Sequence, residues 1–216
     1  MDLETYRSRY GKDGAPGWES IDAALAKVYG DREPDRHFAA TPHFAAGGGN
    51  PLDGISIYRR EDHLHYVSYG MSELYYAEET LETELSGWGF EFTFRLSRDA
   101  EVDAEQDGLP GWPAELMQNL ARYVHESGRW FEPGHHLNAR GPIKAGADTA
   151  IWAIMFIQDP ELGLIDTPHG SVEFLQLVGL TMDEYQDLAS NQTDTGTLID
   201  RLRAIDKLLA TSMSRQ

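Results

Sequence analysis

The sequence contains no cysteine among its 216 residues. Disulfide bonds, zinc sites built on cysteine and thiol nucleophiles are therefore excluded. Long apolar runs are also absent: the first residues, MDLETYRSRYGKDG, lack the apolar stretch of a signal peptide, and no segment reaches the roughly 20 apolar residues of a membrane span. We therefore expect a cytoplasmic protein with no membrane segment. The length suits one domain with a full hydrophobic core.

Basic residues are scarce. The chain has 18 Lys and Arg against 36 Asp and Glu, which gives a formal net charge of −18. Nucleic-acid binding needs basic side chains that displace phosphate counterions, so we expect no nucleic-acid partner. The same charge would attract a basic protein partner, or it could serve solubility alone. The acidic stretch at residues 98–108 has no large aromatic residue and predicts a solvated loop.

Signatures of catalysis are weak in this sequence. The glycines at 47–49 are not followed by Lys and Ser or Thr in P-loop spacing. Ser72 precedes Glu73, but its surroundings lack the second glycine of a G-x-S-x-G nucleophile turn. Carboxylate pairs carry no information in a chain with 36 acidic residues. We therefore predict that the protein is not an enzyme.

The one pattern that could hold a metal is the H-x-H pair of His63 and His65. On a strand this spacing puts both imidazoles on one face about 7 Å apart, which suits a shared metal. The remaining ligands would have to come from His135, His136, Asp166 and His169. Their spacing in the sequence does not require these residues to lie near the H-x-H pair in the fold. In the other interpretation the two histidines occupy the less buried face of the strand, opposite Leu64 and Tyr66. We expect no metal and no cofactor, and a histidine-metal hydrolase remains the alternative function.

Apolar residues three or four positions apart predict the helices. One helix is expected at 17–30, another at 112–128, a short one at 182–190 and a C-terminal one at about 195–212. Their apolar stripes are Ile21, Leu25 and Val28 in the first, Leu116, Leu120 and Tyr123 in the second, and Leu198, Leu202, Ile205 and Leu209 in the last.

Alternating residues predict the strands. Residues 54–69 predict a hairpin that turns at RRED, and 90–96 is the clearest strand, with its phenylalanines toward the core and Glu91, Thr93 and Arg95 on a face outside it. The apolar runs at 149–157 and 170–180 predict inner strands, and 134–143 is expected to be irregular. No repeat or linker divides the chain. We predict an α+β fold, a mixed β-sheet of at least five strands with helices packed on it, in a single domain over residues 1–216.

Six blocks of the sequence follow one another in the order of a known family. They are GWESIDAALAKVYG, NPLDGISIYRR, HLHYVSYGMSELY, SGWGFEFTFRL, WPAELMQNLARYV and DTPHGSVEFLQLVGLT. Through them the chain resembles the Suppressor of fused family from about Gly17 to about Leu188. The resemblance is to the N-terminal domain of the animal members, and the short chain looks like the bacterial members.

This resemblance implies a non-catalytic protein-binding module. The animal members hold a transcription factor of the Hedgehog pathway by gripping a short peptide that is added as a strand between two domains. A bacterial member would instead be an immunity protein that neutralises a toxin, so the expected partner is a protein, basic or a toxin. Capture of a peptide at a sheet edge is a mode that the predicted sheet permits.

The resemblance also places residues 63–76 at the binding side of the family. Tyr66 and Tyr69, expected on opposite faces of their strand, combine an apolar ring with a polar tip, as interface residues often do. In the other interpretation Tyr66 is simply a core residue. The predicted partner-binding residues are the anchors Tyr66, Tyr69 and Tyr75 and the charged rim of Glu73, Glu78 and Glu79.

Overall fold

A single mixed sheet of eight strands organises the computed structural model, which describes residues 1–44, 47–98 and 108–216. The strands are β1 (Arg36–Ala39), β2 (Gly54–Arg59), β3 (His63–Tyr69), β4 (Leu85–Ser97), β5 (His136–Asn138), β6 (Ile151–Gln158), β7 (Leu164–Thr167) and β8 (Gly170–Thr181). Their order is β1-β2-β3-β4-β8-β6-β5, and β7 also pairs with β8. The central β4–β8 pair is parallel and the other pairs are antiparallel. The predicted α+β fold with a mixed sheet is confirmed.

Five helices accompany the sheet: α1 (Leu3–Tyr10), α2 (Pro16–Tyr29), α3 (Trp112–Ser127), α4 (Met182–Ala189) and α5 (Thr195–Ile205). Proline begins α2 and lies in the first turn of α3, where its missing N–H costs nothing. Gly128 ends α3 in the left-handed conformation, with φ at 69°. Helix α1, which buries only Tyr6, is absent from the prediction because it has no apolar stripe. Among the described residues, no helix is long and apolar enough to cross a membrane.

Helices cover both faces of the sheet. On the first face, α3 packs over the aromatic side chains of β4, with Met117 and Val124 against Phe92 and Phe94 in one core. On the second face there are two separate cores. The first lies under α2 and contains Ile21, Leu25, Val67, Tyr69 and Phe174, and the second lies under α4 and α5 and contains Met155, Val178, Leu188, Leu198 and Leu202.

The buried face of α3 matches the predicted one in part, since Leu120 is buried and Leu116 packs against the core as expected. Met117, Ala121 and Val124 point into the core, whereas Tyr123 is 43% exposed. Its ring lies at the edge of the core, stacked on Phe131 with the ring centroids 5.8 Å apart. The helical spacing of apolar residues fits a residue at the rim of the core as well as one inside it. A tyrosine suits the rim, because its hydroxyl needs polar surroundings.

The C-terminal helix ends at Ile205, so the prediction of a helix to residue 212 was wrong. The Asp206 side chain accepts the backbone N–H groups of Leu208 and Ala210, which turns the chain out of the helix. The backbone of Thr211 then pairs with β4. Ile205, expected on the apolar stripe, is 78% exposed, and Leu209 is buried from a non-helical segment.

The second face of β4 is not exposed, which corrects another prediction. Glu91, Thr93 and Arg95 all have no exposed surface. The expectation failed because α2 on one side and α4 with α5 on the other cover the face that the polar residues occupy. The predicted solvated loop at 98–108 falls largely on residues 99–107, outside the described part of the chain.

Candidate functional site

A buried row of polar side chains, which we call the polar seam, crosses the second face between its two cores. At its centre Arg95 donates two hydrogen bonds to Asp159, at 2.6 and 3.1 Å, and a third to Gln176. Thr93 donates to the same carboxylate at 2.7 Å. Gln176 donates in turn to the carbonyl oxygens of residues 208 and 209, so the seam fixes the C-terminal segment on the sheet.

His65 is the histidine member of the seam. Its Nδ1 lies 2.6 Å from the hydroxyl of Tyr29 on α2, and its Nε2 lies 3.4 Å from Asp159. Burial and the nearby charge of Arg95 lower the pKa of His65 to about 4, so the ring is neutral at pH 7. The imidazole therefore serves as an internal polar contact between helix and sheet.

The predicted less buried face for His63 and His65 was wrong, since their exposed fractions are 1% and 0%. The rings share a face, with centroids 6.4 Å apart, as H-x-H spacing requires. His169 lies elsewhere, against Tyr6 and Thr80, and His135 pairs with a glutamate beside β5. Within residues 1–44, 47–98 and 108–216, no three His, Asp or Glu side chains are placed to hold a metal ion. The hydrolase alternative gains no support from this arrangement, because both imidazoles are buried.

Glu91 organises the turn that follows β3. One of its carboxylate oxygens accepts the backbone N–H groups of Gly70, Met71 and Ser72, at 2.9, 3.1 and 3.0 Å. The Ser72 hydroxyl donates to the same oxygen at 2.7 Å, and Ser68 donates to the other. Burial raises the pKa of Glu91, and these hydrogen bonds oppose that shift. Ser72 is thus a structural donor in this turn.

Two of the predicted partner anchors lie inside the protein. Tyr66 has no exposed surface and donates to the carbonyl of Pro110 at 2.8 Å. Tyr69 is 1% exposed and stacks on Trp18, with the ring centroids 4.4 Å apart. They do lie on opposite faces of β3, since they belong to different cores. Neither ring is presented to a partner in this structure.

The other predicted contact residues lie at the surface in the segment 73–79. Tyr75 is half-buried, with its hydroxyl 3.4 Å from Nδ1 of His43, and burial raises the pKa of Glu73. Glu78 is bound by Arg7 of α1 at 2.8 Å, and this contact holds the pKa of Glu78 at about 2. Glu79 is exposed. The N-terminal helix therefore already neutralises part of the predicted acidic rim.

A large groove lies between the C-terminal half of α3 and β5. Its volume is about 1010 Å³. Tyr123 and Trp130 line it and are 43% and 54% exposed, while Phe131 beneath them stacks on Phe156 at 4.1 Å. Large aromatic side chains exposed together are typical of interaction surfaces. This groove is not among the sites predicted from the sequence, although the large apolar side chain of Trp130 in a polar stretch indicates an exposed aromatic residue.

Strand β5 borders this groove and ends the sheet order. Hydrogen bonds join His135 and Ala139 to β6. Because bonding alternates along an antiparallel strand, the peptide groups of His136 and Asn138 point away from β6. The segment predicted as irregular thus supplies an edge strand with outward-facing donors and acceptors.

An edge strand beside an exposed aromatic groove is typical of protein-binding domains. The comparisons with known proteins give the family. The family model for Suppressor of fused protein (SUFU) matches residues 48–216. The Suppressor of fused homologs of Homo sapiens and Mus musculus are each 34% identical over 201 residues. The chain belongs to the Suppressor of fused family, whose members are known as protein-binding regulators.

Solved structures agree with this assignment. A chain of the Sufu–Fu complex has 30% identity and a TM-score of 0.82, covering 94% of this chain and 91% of its own. Drosophila Suppressor of Fused has 31% identity and a TM-score of 0.81, and the match covers 94% of this chain and 51% of the Drosophila chain. A putative SUFU homolog from Neisseria gonorrhoeae, at 16% identity and a TM-score of 0.62, shares the fold. The human and mouse matches cover 88% of this chain, which spans 40% of the length of those relatives.

Proposed function

We propose that this chain is a non-catalytic module that captures an extended segment of a protein partner along the β5 edge. The observation that carries the proposal is the coincidence of that edge with the exposed rings of Tyr123 and Trp130 in one groove. An added strand would bond to the outward peptide groups of His136 and Asn138, while its alternate side chains enter the groove. Aromatic side chains in such positions are frequent anchors of binding energy.

The charge of the chain supports a basic partner. A net charge of −18 raises the encounter rate with a basic protein at physiological salt. A secreted toxin that is held inactive in the cytoplasm is the more specific form of this proposal, and it rests on the resemblance to bacterial family members. The solved Sufu–Fu complex, one chain of which is 30% identical to this chain, supports the proposal of a protein partner.

The segment 73–79 is a second candidate surface within the same function. Glu73, Tyr75 and Glu79 are accessible there, whereas Glu78 is paired with Arg7. A partner held along β5 could reach this segment only with a second part of its surface. Variants of the two surfaces therefore separate their contributions.

The test uses a partner captured from the source cell with the wild-type chain. Trp130→Ala and Tyr123→Ala should each weaken its binding by roughly thirtyfold, about 2 kcal/mol. Ile205→Ala, which removes an exposed apolar side chain from α5, is the matched control and should bind normally. Calorimetry or surface plasmon resonance gives the affinities.

A backbone variant tests strand addition directly. Asn138→Pro removes an N–H group that points away from β6, so it should block an added strand while leaving the β5–β6 pairing. Asn138→Ala keeps the N–H group and should bind like the wild type. Normal binding by the proline variant together with both aromatic variants would place the partner on another surface.

A further inference from the structure

A second concave site lies at the opposite edge of the sheet from β5, between α2 and β1. Its volume is about 400 Å³, at the small end of the range for ligand pockets. The walls and floor combine aromatic rings with polar groups from three parts of the fold: Trp18 and Asp22 of α2, His37 of β1, and Ser56, Tyr58 and Tyr69 of the sheet. We call this site the α2–β1 cleft.

A directional chain of hydrogen bonds ends on Asp22. His37 Nδ1 lies 3.0 Å from the Ser56 hydroxyl, which donates to the Tyr69 hydroxyl at 3.4 Å. Tyr69 donates its own proton to Oδ1 of Asp22 at 2.9 Å. Within the described part of the chain, no hydrogen bond reaches the other carboxylate oxygen, Oδ2. The cleft therefore holds a positioned acceptor whose second oxygen is available.

The charge in the cleft is negative and uncompensated. Asp31 and Glu33 lie at its mouth, and neither forms an ion pair with any described residue. The one arginine of the lining, Arg32, is directed to Asp35 at 2.7 Å and to the carbonyl of Arg59 at 2.8 Å. Burial lowers the pKa of His37, so its ring adds no positive charge at neutral pH.

Gly54 is required for the shape of this cleft. A Cβ atom at this position would lie 2.7 Å from Cε1 of His37 and 2.9 Å from the Trp18 ring. The absent side chain thus lets His37 and Trp18 approach each other over the sheet, with their ring centroids 5.5 Å apart. The aromatic wall beside Asp22 therefore depends on the glycine at position 54.

We propose that the α2–β1 cleft binds the head group of an organic cation, a primary ammonium or a guanidinium. Such a group gains from the carboxylate of Asp22 and from the negative faces of the aromatic rings together. A bare divalent ion fits less well, because it needs several oxygen ligands and, among the described residues, no three His, Asp or Glu side chains are placed to hold a metal ion. The cation is either a free amine or the end of a lysine or arginine side chain of a protein.

The first experiment titrates the ¹⁵N-labelled full chain with 1,5-diaminopentane and with N-acetyl-lysine methylamide at about 0.15 M salt, where surface attraction is screened. The expected result is saturable shifts of the Trp18 indole and Gly54 amide signals. Asp22→Asn should weaken binding at least about tenfold, and Glu33→Gln about two- to threefold because its charge lies farther away. Asp200→Asn on α5 is the matched control and should bind like the wild type.

The arms of the titration separate the possible outcomes. Tighter binding of the lysine derivative indicates a protein side chain as the natural occupant, and tighter binding of the diamine indicates a free amine. Three results would overturn the proposal. They are shifts of equal size with magnesium chloride, no saturable shifts with either probe, and unchanged affinity in both Asp22→Asn and Glu33→Gln. Thermal melting verifies that Asp22→Asn is folded. Trp130→Ala should bind these probes normally, so failure here is distinguishable from failure of the β5 proposal.

Discussion

Arg95 and Asp159 form a doubly hydrogen-bonded ion pair in which neither side chain has any exposed surface. The pair sits where α2, the central strands and the C-terminal segment meet. A buried ion pair contributes little net stability compared with an apolar pair of the same size, yet removing one partner leaves an uncompensated charge in the interior. Each residue therefore compensates the buried charge of the other.

Asp159→Ala should lower the free energy of unfolding by about 3–5 kcal/mol, because it removes the fully buried counter-charge of Arg95 and leaves the guanidinium with the partly exposed carboxylate of Glu161, 2.9 Å away. It also removes the acceptor for the backbone N–H groups of residues 161 and 162. Urea unfolding at pH 7 measures the effect, with Asp200→Ala as an exposed control. The double variant Arg95→Met with Asp159→Leu should recover the part of the loss that comes from the buried charge, but not the part that comes from the lost backbone hydrogen bonds. A double variant no more stable than Asp159→Ala would contradict this account.

Stability should fall as the pH decreases from about 6.5 to about 4 because of His65. Its pKa is about 4 in the folded protein and near 6.5 in an unfolded chain, so over this range the unfolded state binds the extra proton. The contribution is complete above pH 6.5 and amounts to roughly 3 kcal/mol. Unfolding curves of the wild type and His65→Gln should therefore converge on acidification. A difference that does not change with pH would contradict the prediction.

Glu91→Ala should cost about 3 kcal/mol or more, because it leaves three backbone N–H groups after β3 without their acceptor in a buried turn. Glu91→Gln keeps one acceptor oxygen and should cost less. Urea unfolding gives the energies, and amide hydrogen exchange at residues 70–72 reports the turn itself. Slow exchange at these amides in Glu91→Ala would show that another group holds the turn.

The acidic segment should affect the rate of association more than the lifetime of the complex. Glu79→Gln should slow association with a basic partner and flatten its dependence on salt, since this carboxylate is exposed. Glu78→Gln should have a smaller effect, because Arg7 already balances its charge. Rates measured by surface plasmon resonance across ionic strengths test both variants. Equal effects would mean that the Arg7 contact is absent in solution.

Tyr75→Ala should weaken partner binding by about 2 kcal/mol if the 73–79 segment is contacted. Tyr66→Phe should leave the affinity unchanged, because the Tyr66 ring is buried and its hydroxyl donates inside the protein, to the carbonyl of Pro110. Titration calorimetry with the captured partner separates the two cases. Unaltered binding by Tyr75→Ala would remove this segment from the interface.

The sequence predicted the five longer strands, missed the short strands β1, β5 and β7, and predicted the surroundings of the strands poorly. Alternation at Phe90 to Leu96 identifies a strand and its apolar face, both of which the structure has. It cannot show whether the polar face meets water or a second layer. The partners of Arg95 include Asp159 and Gln176, 64 and 81 positions away, and only the folded chain brings them together.

The candidate surface was harder to predict than the fold. Strand β5 has three residues, too few for a period to be recognised. Tyr123 fits the helical spacing of a core residue, so its exposure follows from how α3 is rotated against the sheet. Conversely, Tyr66 and Tyr69 have the composition of interface residues, and their burial follows from layers contributed by α2 and α3.

The parallel pairing of β4 with β8 has a consequence for how the chain reaches its native state. Strands β2, β3 and β4 follow one another and can form an antiparallel meander early, but the partner of β4 begins only at Gly170. Until β8 pairs with it, the apolar strand β4 has an unpaired edge, and such edges can pair with other chains. Pairing over so long a separation is slow. Aggregation of this protein should therefore arise during refolding and increase with concentration, whereas the finished sheet has its central strands protected.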